Sequence, residues 1–225
     1  MSGRAPLPDA LRRALDADHG AIRPLRPAGR RTVLVVLWTT LLLGVLPVLL
    51  GLRADAGALG MALSWGAAVF ECLVGLALVG LALREAVPGS GVTRTTRLCA
   101  LAGAVVAFGA VALLCWVRSG MPRGTFPPAG ASCFASEGGL GLPALALTVF
   151  LVARAFAVRP RWAGLLGGVG AGVLTDGVWH VICPQADLGH VILWHGGAVL
   201  ALAGAGWLAG YVLDALRRRR VSTVA

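Results

Sequence analysis

The chemically active side chains of this sequence are concentrated in one short segment, Trp179–Gly197, which reads WHVICPQADLGHVILWHGG. The segment contains His180, His190 and His195 together with Cys183. Imidazole and thiolate groups bind soft metal ions, and a thiolate is also a nucleophile that can be oxidised. The spacing of these residues matches no standard structural zinc motif. The segment therefore indicates thiol or metal chemistry without defining a zinc site.

A second set of ionisable residues leads into this segment. Asp176, His180 and Cys183 are separated by four and three residues, which places them on one face of a helix. An acid can orient a histidine, and an imidazolium can make a neighbouring thiol reactive. The alternative is that Asp176 and His180 only form hydrogen bonds between packed helices. Glu71 also lies within an apolar run and needs a partner, for which Asp176 and His180 are the candidates.

Five cysteines are present, and their positions divide them into two groups. Cys72 and Cys99 are expected to be small buried apolar residues. Cys115, Cys133 and Cys183 are all expected near one face of the membrane. Two thiols on an oxidising face can form a disulfide if their Cα atoms come within about 7 Å of each other.

The elements that must position these residues are predicted to be membrane helices. The chain is 57% hydrophobic and 13% charged, with a mean hydropathy of +0.81, whereas soluble domains carry about 25% charged residues. Several apolar runs approach the length of about 20 residues that crosses a bilayer. The sequence therefore predicts an all-α integral membrane protein with six transmembrane helices. The expected spans are Thr32–Leu52, Leu59–Leu83, Leu98–Val117, Gly139–Ala157, Ala163–Cys183 and Gly189–Leu213.

The arginines predict the orientation of these spans. All 20 basic residues are arginine, and all but Arg53, Arg118 and Arg123 fall on the side of the membrane that holds both termini. Because basic residues are retained on the cytoplasmic side, both termini are predicted to be cytoplasmic and the histidine-rich segment to lie outside. The net charge of +10 is thereby explained as a topology signal, and no direct contact with nucleic acid is expected. Exclusive use of arginine is typical of bacteria with GC-rich genomes, which places the chain in a bacterial inner membrane.

Three parts of the chain follow from this topology. They are a cytoplasmic N-terminal segment (residues 1–31), a six-helix transmembrane domain (residues 32–216) and a cytoplasmic arginine-rich tail (residues 217–225). The soluble parts are too short to hold an enzyme, and the sequence contains no phosphate-binding glycine loop, GxSxG or HExxH motif. A non-enzymatic function is therefore expected, with the lipid bilayer as one partner.

The N-terminal segment contains a short amphipathic pattern. Leu7, Leu11 and Leu15 recur at intervals of four residues, which places them on one helix face. A helix of about three turns is marginal alone in water, so the segment is either a membrane-surface helix or disordered leader, or a docking element. In the second interpretation these leucines and Ile22 bind a groove on a cytoplasmic partner.

One combination of features resembles a known family over nearly the whole chain. It comprises a short cytoplasmic head, six spans, Cys133 near the outer end of span 4, the element Cys183-Pro184, Asp187 and Trp194-His195, and an arginine tail. This arrangement resembles the NrsF family, negative regulators of sigma F. These are bacterial inner-membrane anti-sigma factors that pair with extracytoplasmic-function sigma factors.

The resemblance implies roles for both ends of the molecule. The cytoplasmic head, residues 1–31, would hold the sigma factor, and Cys133 and Cys183 would sense the signal. The signal would be thiol oxidation or transient binding of a soft heavy metal, with no permanent cofactor. His180, Asp176, His190 and His195 are candidates for supporting groups or metal ligands.

Two other functions remain open from the residues alone. One is a membrane thiol–disulfide oxidoreductase that passes electrons to a quinone, although the sequence contains no CxxC motif. The other is a small transporter or haem carrier that uses His180 and His195 as ligands.

Overall fold

The computed structural model describes residues 8–10, 12–13, 26–89, 92–119, 130–155 and 157–222. Within these ranges the chain is helical and contains no strand, which confirms the all-α prediction. The predicted docking residues Leu7, Leu11, Leu15 and Ile22 lie outside the described residues. Their role in partner binding stays a prediction.

Six helices account for the described chain from residue 28 onwards. They are α1 (Ala28–Leu50), α2 (Ala56–Glu85), α3 (Arg94–Ser119), α4 (Ala131–Ala153), α5 (Pro160–His180) and α6, which consists of Leu188–His190, a π-helical turn at Val191–His195 and Gly196–Ser222. Helix α2 is also irregular, because Gly60 has a φ of 73° and the turn Ala62–Gly66 is π-helical.

Five of these six described helices are long and apolar enough to cross a membrane by length and composition: α1, α2, α3, α4 and α6. They also expose apolar side chains on their outer surfaces, among them Val48, Val105 and Leu200. The sixth predicted span, Ala163–Cys183, corresponds to α5. This helix is not among the five, and its crossing of the membrane, like the orientation of the termini, stays a prediction.

Helix α5 differs because it is surrounded by protein. It packs most closely against α2 and α6 and also contacts α4, and most of its residues are buried. A Cβ atom added to Gly75 of α2 would lie 2.6 Å from the carbonyl oxygen of Gly170 in α5. Gly164 and Gly206 face each other in the same way between α5 and α6. Small residues therefore allow close backbone contact on two sides of α5. Because α5 is enclosed by other helices, it does not need an apolar outer surface.

Arginines close the end of the bundle opposite the histidine-rich segment. The Arg31 guanidinium donates to the carbonyl of Leu83 at 2.9 Å and to that of Leu151 at 3.4 Å, near the ends of α2 and α4. Arg217 of α6 donates to the Ala153 carbonyl at 3.0 Å. Cations at helix C-termini bind the unpaired carbonyls and favour the helix dipole. The start of α1 is thereby attached to the ends of α2 and α4.

Two helix boundaries near the histidine-rich segment differ from the predicted spans. Span 4 was expected to begin at Gly139, but α4 begins at Ala131 and contains Cys133 in its first turn. Span 5 was expected to end at Cys183, but α5 ends at His180. Backbone hydrogen bonding extends α4 beyond its apolar run, whereas α5 ends three residues before its predicted span does.

Candidate functional site

Two free cysteines meet between α4 and the segment that joins α5 to α6. The Sγ atoms of Cys133 and Cys183 are 3.7 Å apart, well beyond the S–S bond length of about 2.05 Å. Cys183 is buried and Cys133 is half-buried. The structure thus brings together the two thiols that the sequence only placed on the same face.

The position of Cys183 follows from how α5 ends. Its backbone N–H donates to the Trp179 carbonyl at 2.9 Å, which holds Cys183 against the end of α5, and Pro184 prevents further helix formation. Three residues later, Asp187 caps α6, because its carboxylate accepts from the backbone N–H of His190 at 3.0 Å. This cap fixes His190, whose Nε2 atom lies 3.8 Å from the Cys183 sulfur.

His195 joins this thiol pair to two buried carboxyl groups. Its Nδ1 atom lies 2.8 Å from Oδ1 of Asp176 and 3.3 Å from Oε2 of Glu137. Its Nε2 atom has no hydrogen-bond partner among the described residues. One ligand atom each from Cys133, Cys183, His190 and His195 fit within 4.8 Å of one another. His190, His195, Asp176 and the two thiols of the predicted site therefore form one continuous cluster, which does not include His180.

Glu137 belongs to this cluster and was missed by the sequence analysis. It is completely buried and follows Cys133 by one helical turn on α4. The i, i+4 spacing would have identified it, but the predicted start of span 4 left Glu137 in a loop. Glu71, for which the sequence offered only candidate partners, is also buried and interacts with Asp176.

The expected stripe of Asp176, His180 and Cys183 does not act as one unit. All three border a cavity of about 20 Å³, but Asp176 contacts His195 and Cys183 contacts Cys133. Cys183 has left the helix, and Asp176 faces α6 one turn before the helix ends. The idea that His180 tunes the Cys183 thiol is therefore not supported by their contacts.

His180 instead takes part in a separate set of contacts. Its Nε2 atom is 2.8 Å from the Leu63 carbonyl oxygen and 3.8 Å from the sulfur of Cys115. The carbonyl of His180 accepts from Arg53 at 3.0 Å, and Arg53 pairs with Asp55 at 2.6 Å. Leu63 lies in the π-helical turn of α2, where a carbonyl can be left without a helical partner. These contacts connect α2, α3 and the end of α5.

Comparison with known proteins adds one finding. The family model described as NrsF, negative regulator of sigma F, matches residues 15–214. The match includes every member of the thiol–histidine–carboxyl cluster. No curated protein and no solved structure matches the chain.

Proposed function

Since this chain belongs to the NrsF family of negative regulators of a sigma factor, we propose that it holds an extracytoplasmic-function sigma factor at the bacterial inner membrane. Release follows a change in the outer thiol pair, Cys133 and Cys183. Both termini are cytoplasmic, and residues 1–31 bind the sigma factor. Family membership favours this regulatory role over the oxidoreductase and the haem or metal transporter.

The observation that carries the proposal is the 3.7 Å separation of the two sulfurs. An oxidant that accepts two electrons converts the two thiols into a disulfide with loss of two protons. Forming the bond brings the sulfurs together by more than about 1 Å, which pulls the first turn of α4 towards the α5–α6 connection. A soft metal ion bound between the sulfurs would instead hold the pair at its present separation and fix the elements that carry it. Either event favours one arrangement of the helices over another, which a signal must do to alter binding elsewhere.

Helix α4 provides a route from the thiol pair to the sigma-binding segment. Cys133 lies in its first turn, and near its other end the carbonyl of Leu151 accepts from Arg31. Arg31 is the last residue of the segment proposed to bind the sigma factor, and it also contacts α2 through the carbonyl of Leu83. Movement of α4 along or across the bundle therefore changes the anchoring of that segment.

Cysteine variants test the proposal. Expression of a sigma-dependent reporter would be measured with and without a thiol oxidant or cadmium, and a thiol-trapping gel would report the redox state of the pair. Cys133→Ser and Cys183→Ser should each disable the response to a similar degree. The double variant should be little worse than either single variant, because the two residues act as one unit.

Cys99→Ser and Cys72→Ser provide matched controls. Cys72 is buried within α2 as expected, whereas Cys99 is exposed and not buried as the sequence predicted. Neither belongs to the cluster, so both variants should respond almost normally. A normal response from the Cys133→Ser, Cys183→Ser double variant would remove the sensing role from the pair.

A further inference from the structure

We infer that Cys133, Cys183, His190 and His195 form a tetrahedral binding site for one divalent cation of the borderline or soft class, Zn²⁺ or Cd²⁺. Sequence spacing did not reveal this ligand set, because the residues come from the first turn of α4, the α5–α6 connection and the start of α6. Their four ligand atoms lie within 4.8 Å of one another. Two sulfur and two nitrogen ligands in a tetrahedral arrangement are typical of zinc.

Two of the distances between ligand atoms match this geometry closely. In a tetrahedron the edge is about 1.6 times the bond length, so a Zn–S bond of about 2.3 Å requires sulfurs about 3.8 Å apart. The Cys133 and Cys183 sulfurs are 3.7 Å apart, and the Cys183 sulfur is 3.8 Å from Nε2 of His190. The thiols thus already have the separation that a shared metal ion demands.

The buried imidazole of His195 supplies an independent indication of a ligand. The residue is only 3% exposed, yet its Nε2 atom has no hydrogen-bond partner in the described part of the chain. Its Nδ1 atom faces Asp176 at 2.8 Å and Glu137 at 3.3 Å. When one ring nitrogen donates its N–H to a carboxylate, the other nitrogen presents its lone pair. Metal-binding histidines usually have this arrangement. Here that lone pair is directed to the cluster that contains both thiols.

Charge balance and positioning support the same conclusion. Two thiolates neutralise a divalent cation, so the ion can be buried without leaving an unpaired charge. Asp187 fixes the start of α6 and thus the place of His190. A bound cation would hold the sulfurs that oxidation would otherwise join, so metal binding and disulfide formation exclude each other at this site. That consequence rests on the proposed function, whereas metal binding itself does not.

Cobalt provides a spectroscopic test with the full-length protein in detergent. The reduced protein would be titrated with Co²⁺, followed by Zn²⁺ and Cd²⁺ as competitors. We expect one equivalent of Co²⁺ to produce the intense visible absorption of a tetrahedral cobalt–thiolate site, and both competitors to remove it. Absence of this absorption in fully reduced protein would overturn the inference.

Variants identify the ligands. Cys183→Ser and the double variant His190→Ala, His195→Ala should lose the cobalt spectrum, while Cys99→Ser should keep it. Asp176→Asn should keep the spectrum but bind about 10–100-fold more weakly, and Asp214→Asn, at the opposite end of α6, should bind normally. An unchanged spectrum in the double histidine variant would overturn the four-ligand site in favour of a cysteine pair alone.

The two proposals can fail separately. If the protein forms a tetrahedral cobalt site but keeps its sigma factor bound under oxidant and cadmium, the metal site is supported and the proposed signal is rejected. Loss of the cobalt site with a normal redox response in the reporter assay would reject the metal site alone.

Discussion

The Nδ1 atom of His195 lies 2.8 Å from the carboxylate oxygen of Asp176, although 19 residues separate them in the chain. This contact joins α5 to the π-helical turn of α6, and both residues are buried. Glu137 approaches the same ring nitrogen from α4. One imidazole therefore connects three helices, and its other side faces the thiol pair.

Removal of the Asp176 carboxylate should destabilise the bundle. Asp176→Ala leaves a void between α5 and α6 and removes the nearer partner of the buried Nδ1 atom of His195. A buried polar group that loses its hydrogen-bond partner costs about 1–3 kcal/mol. The expected result is a clear fall in the midpoint of thermal or denaturant unfolding in detergent. Asp214→Ala, which removes a partly exposed pair with Arg161, should cost less than about 1 kcal/mol. Equal effects of the two variants would contradict this ranking.

His180 should contribute to stability and little to signalling. His180→Ala removes the contacts to Leu63 and Cys115 but none of the contacts between the two sensing thiols. The amount of folded protein in the membrane should fall, while the oxidant response per molecule should remain. The immunoblot level and the reporter response would be measured together, and a lost response at normal protein level would show that His180 belongs to the sensor.

The glycine contacts of α5 should tolerate no side chain. Gly75→Val places atoms against the Gly170 backbone, and backbone atoms cannot move aside as a flexible side chain can. Overpacking of this kind costs about 1–3 kcal/mol or more. Gly109→Val on α3 is the matched control, because no atom lies within 4 Å of the added Cβ. The yield of monodisperse protein after purification would compare the two, and a normal yield for Gly75→Val would argue against the close packing.

Reporter fusions should establish the orientation. Fusions at Gly89 and at the C-terminus should read as cytoplasmic, and one at Gly130 should read as periplasmic, because the predicted spans put all but three of the arginines on the same side as both termini. A cytoplasmic signal at Gly130 would place Cys133 on the reducing side of the membrane and exclude disulfide sensing.

The leucine face of the N-terminal segment should bind the sigma factor. Leu11→Asp combined with Leu15→Asp would bury unpaired carboxylates in a groove at a cost of several kcal/mol, which weakens binding about a thousandfold. Replacement of Arg12 and Arg13 should have a smaller effect, because exposed ion pairs contribute little. Pull-down of the sigma factor would measure the binding of both sets of variants. Normal binding by the double aspartate variant would contradict docking of the leucines in a groove.

The helical architecture and the identity of the chemically active residues were predictable from sequence, but their pairing was not. Apolar runs located the helices, and the Cys-Pro…Trp-His element contains several of the residues that the structure brings together. The sequence could not predict that Asp176 pairs with His195 and not with His180, because the choice depends on the rotation of α5 against α6. Glu137 was missed because a polar first turn of α4 lies outside the apolar run. The contact of His180 with Leu63 depends on a π-helical turn that no local sequence pattern predicted.

The low hydropathy of α5 has a consequence for how the protein is made. Its glycines and Asp176 give a segment that gains little by entering lipid, because a charged side chain within a span opposes translocon-mediated insertion. Its partners α2 and α4 precede it in the chain and are apolar enough to insert alone. During synthesis, α5 would therefore insert by packing into a groove that these earlier helices have already formed. Helix α6 would then pack against α5. Because His190 and His195 belong to α6, the sensor would be complete only after this last helix has been synthesised.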